Sequence, residues 1–182
     1  MTMTESFSLF ETRLGWCALI TAEGRIRGCL LPEASPAGIR ARLRRLHPGA
    51  QEAAPTPDLA RAIGRITGLI DGSNDDLRDL ELDMSAVSPF ERQVYALARD
   101  IRPGQTSTYG DIARALGDLN ESRAVGVALG RNPFAPIVPC HRVVAAGQKL
   151  GGFSATGGRA LKLKLLANES RWAAGDLFGD GR

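Results

Sequence analysis

Ile137-Val138-Pro139-Cys140-His141-Arg142-Val143-Val144 is the stretch on which the reading of this chain turns. A cysteine lies between a proline and a histidine, with cationic Arg142 two positions on. A cysteine sulfur is nucleophilic as its thiolate, and neighbouring His or Arg charge favours that form. The apolar residues on both sides suggest a strand-like segment that carries Cys140 into the interior. Pro139 has no N–H to give a ladder and argues against an ordinary central strand. A His-Arg pair is also hard to bury without a purpose. The plainer alternative stays open, because most free cysteines are small buried hydrophobes.

The chain has 182 residues, 43% of them hydrophobic, which suits one large globular domain or two small ones. No apolar run approaches the ~20 residues of a membrane span, and Met1–Ser6 lacks the basic start of a signal peptide. The expectation is a cytoplasmic protein whose Cys17, Cys29 and Cys140 stay reduced. Charge is unevenly spread. Residues 1–84 hold 10 Lys/Arg against 12 Asp/Glu, and residues 85–182 hold 13 against 8. The half with Cys140 is therefore the basic half, which hints at an anionic partner such as nucleic acid. A solvated basic surface would give the same count.

Residues 7–31 read as two or three antiparallel strands with a turn at Ala22-Glu23-Gly24. Ser35-Pro36 starts a helix carrying Ile39, Leu43 and Leu46 on one face. Gln51–Pro55 reads as a polar loop. Thr56-Pro57 starts a second helix with Leu59, Ile63, Ile66 and Ile70 at helical spacing. Residues 77–84 are a strand or a linker. Ser88-Pro89-Phe90-Glu91 is a capping box opening a third helix. Thr108 caps a short helix ending at Gly117, and another follows over 121–130. Two short helices around a tight glycine-containing turn fit helix-turn-helix geometry, a pattern shared by helical hairpins with no nucleic-acid role. A last helix spans about 157–168, and the tail 171–182 is expected to be loose.

Pro139-Cys140-His141-Arg142-Val143-Val144 resembles the signature of the O6-alkylguanine-DNA alkyltransferases (methylated-DNA–protein-cysteine methyltransferases). Further matching stretches follow that family's order: Thr108–Ala113, Arg123–Gly126, Arg131-Asn132-Pro133, Gly151-Gly152-Phe153-Ser154 and Lys164–Glu169. The resemblance covers residues 88–170 and is weaker over 1–84. It implies an α/β (α+β) protein. A small N-terminal sheet-plus-helices domain over 1–84 serves as scaffold, and a mainly helical DNA-binding and alkyl-acceptor domain with a helix-turn-helix spans 85–170.

The resemblance also implies roles. Cys140 accepts the alkyl group from a guanine flipped out of the duplex and keeps it, so each molecule reacts once. His141 is the relay base, through a bridging water because sequence neighbours on a strand face opposite ways, and Glu169 orients it. The Tyr109 hydroxyl donates to the base. Arg123 enters the duplex and fills the gap left by the base. Ala124 and Gly126, with Ala128, allow close approach to the minor groove. Asn132 braces the turn. Arg142, Val143, Phe153 and Ser154 belong to the substrate-contacting set, with the Ser154 N–H near the guanine oxygen and the Cys140 and Val143 carbonyls near its amine.

No cofactor is expected. Cys17, Cys29 and His47 fall short of the usual four zinc ligands, so no metal is expected either. The resemblance implies double-stranded DNA carrying O6-alkylguanine as the partner, with no membrane involved and a protein that acts as a monomer. Three alternatives remain: a lesion-binding protein that transfers nothing, a helix-turn-helix regulator with a sensing thiol, and a cysteine hydrolase.

Overall fold

The computed structural model describes residues 4–176, and side-chain surroundings for 4–170. The chain opens with a meander of β1 (Glu5–Thr12), β2 (Gly15–Ala22) and β3 (Arg25–Glu33). Gly15 can only be glycine: its φ is +130°, and a Cβ would stand 2.4 Å from the Glu33 carbonyl oxygen. The expected turn at Glu23-Gly24 forms with both residues at positive φ, which matches the twist of a two-residue hairpin. The polar stretch at 51 is more than a loop, since Gln51–Glu52 forms β4 and pairs parallel to β1. The sheet order is β3-β2-β1-β4.

α1 (Pro36–Leu46) is capped by Ser35, whose hydroxyl accepts from the Gly38 N–H. Ile39 and Leu43 are buried against the sheet, whereas Leu46 at the helix end is 48% exposed. α2 (Pro57–Ile70) buries Ala62, Ile66, Leu69 and Ile70. Residues 77–84 are a linker with a single bridge, Ile26 to Leu82. Arg65 pins its start through Asp75 and Asp79, and Arg99 donates to the carbonyls of Leu77, Arg78 and Leu80.

α3 (Pro89–Arg99) carries the complete capping box at Ser88 and Glu91. β5 (Ser107–Thr108) leads directly into α4 (Tyr109–Ala115), and α5 (Ser122–Gly130) follows across the Gly117 turn. β6 (Val143–Val144) pairs parallel with β5. α6 (Gly158–Asp176) is longer than the sequence suggests. Nothing between Leu166 and Ala174 is glycine or proline, so helix continues through the first residues of the stretch expected to be loose. Residues 177–182, the rest of that stretch, lie outside the described residues.

The strand alternation sorts two clusters. Phe7, Ala18, Ile20 and Leu30 meet α1 on one face of the sheet. Phe10, Cys17, Leu19 and Cys29 face α2 and the helices of the second half in one continuous core that includes Val94, Val125 and Phe134. The two halves therefore share hydrophobic burial. Among the described residues no helix is long and apolar enough to cross a membrane.

Within this core the buried Tyr95 hydroxyl of α3 donates to the Ala128 carbonyl of α5 at 3.0 Å and anchors the second short helix. Tyr95→Phe should lower stability by about 1 kcal/mol, read as a lower urea midpoint at unchanged m-value. An unchanged midpoint would show that this bond does not hold α5.

Candidate active site

The segment at Cys140 is not the strand its apolar flanks suggest. Cys140–Arg142 is one turn of 3-10 helix that runs straight into β6. Pro139 has no N–H for a ladder and its carbonyl accepts from Arg142 N at 2.9 Å, while Cys140 N donates to the Val138 carbonyl. Successive side chains on such a turn diverge by about 120° rather than 180°. The reason to place Cys140 and His141 on opposite faces therefore disappears.

Glu169 of α6 reaches this turn from behind. His141 Nε2 lies 2.8 Å from Glu169 Oε1, and both side chains are buried. Arg142 corrects an expectation: it is fully buried and makes no surface for substrate or DNA. Its Nε and Nη2 donate to the Glu169 carboxylate and its Nη1 to the Ile101 carbonyl at 2.6 Å. A buried carboxylate has to be matched by charge, and the arginine beside the thiol is committed to that task. Gly104 N donates to Glu169 Oε2 at 3.3 Å and completes the clamp.

Burial works against ionising Glu169, yet His141 and Arg142 together hold it down to about 2. Burial pushes the His141 imidazole below its ordinary 6.5, and the Glu169 bond offsets part of that. The neutral ring donates its Nε2–H in a hydrogen bond to the ionised carboxylate, which leaves Nδ1 as an acceptor. Nδ1 is buried and has no hydrogen-bond partner among the described residues. Burial raises the Cys140 thiol above its ordinary 9.0, opposed by the Asn132 amide, the Lys162 charge and backbone N–H groups of the turn. The resting group is a thiol, and the residue that follows it carries a ring nitrogen with no partner among the described residues.

Cys140 forms part of the floor of an open cavity of about 920 Å³. The β5–β6 pairing sets Thr108 beside Val144, so Tyr109, the first residue of α4, enters the cavity near the thiol. Burial, then the neighbouring thiolate charge, raises the Tyr109 phenol, which keeps its proton and remains a donor. Gly151 must be small, because a Cβ there would meet the Tyr109 ring at 3.2 Å, and Gly126 faces the same ring. Phe153 and Ser154 form the facing wall, with Ser154 Oγ donating to the Gly130 carbonyl at 2.9 Å.

Arg123 is exposed at the start of α5 and lines both this cavity and the groove beside Ala124 and Val127. Ala128 differs from expectation, since it is 2% exposed and packs inward. Asn132 braces the turn, donating from Nδ2 to the Val138 carbonyl at 2.8 Å and accepting from Phe134 N at 2.9 Å. The Val143 carbonyl already accepts from Lys162 Nζ at 2.6 Å, and the Cys140 carbonyl from Val143 N. Each oxygen retains one lone pair for a ligand.

Lys162 is the residue that reading the sequence missed. It is fully buried, bridges the Val143 and Gly152 carbonyls, and lies 5.9 Å from the ring centroids of both Tyr109 and Phe153. The signal was available: Lys162, Leu165 and Glu169 fall three and seven apart, on one face of α6. Among the described residues no group of three His, Cys, Asp or Glu side chains is placed to hold a metal ion.

Comparison with known proteins gives this geometry a context. Residues 89–171 match the model of the 6-O-methylguanine DNA methyltransferase, DNA binding domain. A methylated-DNA–protein-cysteine methyltransferase of Mycolicibacterium paratuberculosis is 44% identical over 99 residues, 54% of this chain and 58% of that protein, so the chain spans little more than half of that relative. A DNA base-flipping protein of Thermus thermophilus is 39% identical over 145 residues, covering 78% of this chain and 93% of that one. The crystal structure of Mycobacterium tuberculosis OGT in complex with DNA superimposes with a TM-score of 0.72 at 28% identity, over 91% of this chain and 93% of the other.

The Arg142–Glu169 clamp makes a prediction of its own. Glu169→Gln leaves a guanidinium buried without its counter-charge, and should cost roughly 3 kcal/mol in urea unfolding at pH 7. The sign with pH follows from the depressed carboxyl. Its contribution is complete above the ordinary 4.5 and drains away as pH falls towards 2. The variant should lack that part of the acid limb; an acid limb identical to the parent's would show that Glu169 is not held ionised.

Proposed function

The chain belongs to the 6-O-methylguanine DNA methyltransferase family, and from that premise we propose that it repairs alkylated DNA by direct reversal, moving the alkyl group of an O6-alkylguanine onto its own Cys140. The observation that carries the reading is the thiol itself, set in the floor of an open cavity beside a histidine with a free acceptor nitrogen. In this reading residues 1–84 are a scaffold and residues 85–170 do the work. The protein acts as a monomer in the cytoplasm without metal or cofactor.

The duplex lies against α4 and α5, and the target base leaves the stack for the cavity. Arg123, free of the core and at the cavity's edge, fills the gap and offsets part of the cost of extrusion. Ala124 and Gly126 keep the helix surface low. The thiol proton passes to His141, whose imidazolium Glu169 stabilises. The sulfur lone pair forms the S–C bond as the C–O6 bond breaks, and the electron pair leaves on guanine. Tyr109 and the Ser154 N–H meet that charge. Lys162 steadies the turn and favours the thiolate. A thioether has no easy hydrolytic exit, so one molecule handles one lesion.

The likeness to a protein named for base flipping keeps a second outcome in view, namely binding without transfer. Intact-protein mass after incubation with duplex O6-methylguanine DNA separates the two. We expect the mass of one methyl group on the Cys140 peptide, saturating at one per molecule, and none for Cys140→Ala, which still binds the lesion. An unmodified wild-type peptide on accessible lesion DNA would establish the binding-only reading.

The pH profile tests the relay. With His141 titrating below 6.5 and the thiol above 9.0, the proton only moves between the two partners across that interval. The single-turnover rate should therefore be flat from pH 6.5 to 9.0 and fall in acid. A rate that climbs about tenfold per pH unit across the interval would mean free thiolate reacts without His141.

A further inference from the structure

We propose that the chamber where the sheet half meets the helical half is a subsite for the hydrocarbon tail of adducts longer than methyl, with Arg42 as the latch that sets its size; this rests on the alkyl-transfer reading above. Cys140 borders two cavities. The second, of about 350 Å³, lies towards the sheet. That is roughly ten times the ~30 Å³ share of a water molecule in the liquid. Ile20, Leu30 and Leu31 from the sheet, Leu46 from α1, and Ala135 and Ala155 from the second half give it an apolar side, while Arg42, His47, Arg131 and Asn132 add polar groups to the remaining wall.

Leu129, Gly130, Phe153 and Ser154 line both cavities, so they form the partition between them. The bond that closes it is the exposed one from Ser154 Oγ to the Gly130 carbonyl, which water can replace. Two residues further on, Arg42 Nη1 donates to Thr156 Oγ1 at 2.9 Å while also meeting Glu33 at 3.3 Å. The Arg42 Nε is buried and has no partner among the described residues, so the guanidinium gives up one hydrogen bond while its far end holds the loop. The tied segment 153–156 lies between glycine pairs at 151–152 and 157–158, and Gly151, Gly157 and Gly158 have positive φ. Glycine pairs at both ends let the segment swing as a flap.

Transfer itself is unchanged: the S–C bond forms as C–O6 breaks. A methyl product needs no space beyond the sulfur. A longer chain bonded to the sulfur has to leave the guanine pocket, and the chamber, with its one apolar side, is space that Cys140 itself borders.

Single-turnover rates on duplexes carrying O6-methylguanine or O6-butylguanine test this in the full chain. Arg42→Ala and Thr156→Val should each raise the butyl-to-methyl rate ratio about tenfold, the scale of methylene discrimination in an apolar pocket. The double variant should match the singles, because both remove one contact. Leu46→Trp, at an exposed wall position, should lower the ratio by a similar factor. Thr156 and Leu46 are exposed, so their variants keep the test valid if Arg42→Ala fails to fold. Unchanged ratios with normal methyl rates overturn the subsite, as does an equal loss of both substrates in Arg42→Ala. Failure of the parent protein to transfer even methyl overturns the alkyl-transfer reading instead.

Discussion

A carboxylate held away from water organises this molecule. Glu169 projects from the last helix into an interior where an unmatched charge would cost several kcal/mol. Arg142 answers it with Nε and Nη2 and spends its remaining reach on the Ile101 carbonyl just beyond α3. One ion pair thus ties α6, the end of α3 and the turn at Cys140 into a unit. His141 takes the remaining position on the same carboxylate. Its tautomer follows from that bond, and the tautomer leaves Nδ1 free to act as the base. Placement of the nucleophile and activation of the nucleophile have a common source.

The rest of the site is assembled by short-range devices attached to that unit. The two-residue β5–β6 pairing fixes where α4 begins, and the Thr108 capping box fixes its direction. Tyr109 consequently enters the cavity as the first helical residue. The Tyr95 bond to Ala128 settles α5 on α3, so that Arg123 stands at the cavity's edge while Val125, Ala128 and Leu129 enter the core. A helix of nine residues has little independent stability. It can form one wall of the cavity because its inward face is packed, whereas its outward face carries Arg123, Val127 and small residues.

What could be read from the sequence was whatever is encoded locally. Ser88 with Glu91, Thr108 with Asp111, and Ser35 before Pro36 each announce a helix start, because the cap and its acceptor lie within one turn. The hairpin at Glu23-Gly24 is legible for the same reason. The pairing of His141 with Glu169 came from likeness to a family, since 28 residues separate them. Two features resisted. Flanking apolar residues cannot distinguish a buried strand from a buried turn, and at Cys140 the missing N–H of Pro139 decided the matter. An arginine beside a reactive thiol reads equally well as a ligand to substrate or as a counter-ion; Arg142 became the latter because Glu169 arrives from α6. Arg42 was invisible, as its partner Thr156 lies 114 residues away.

The balance of forces on Cys140 suits a sulfur that can be used once. Burial raises the thiol more strongly than Asn132, Lys162 and the turn's N–H groups lower it. A permanently ionised sulfur would react with any electrophile or oxidant that reached it, and a wasted molecule could not be recovered. Keeping the proton on sulfur until a base is in the cavity makes the thiolate conditional on a correct encounter. The groups that lower the thiol are then best understood as acting after proton transfer: they are already oriented, so they stabilise the thiolate without further rearrangement. A stronger resting field would raise the thiolate population but also the rate of wasted reactions. The fold retains the protonated state by keeping Arg142 on Glu169 and leaving Lys162, a cation whose own charge burial disfavours, with the Asn132 amide and the turn's N–H groups to bias the sulfur.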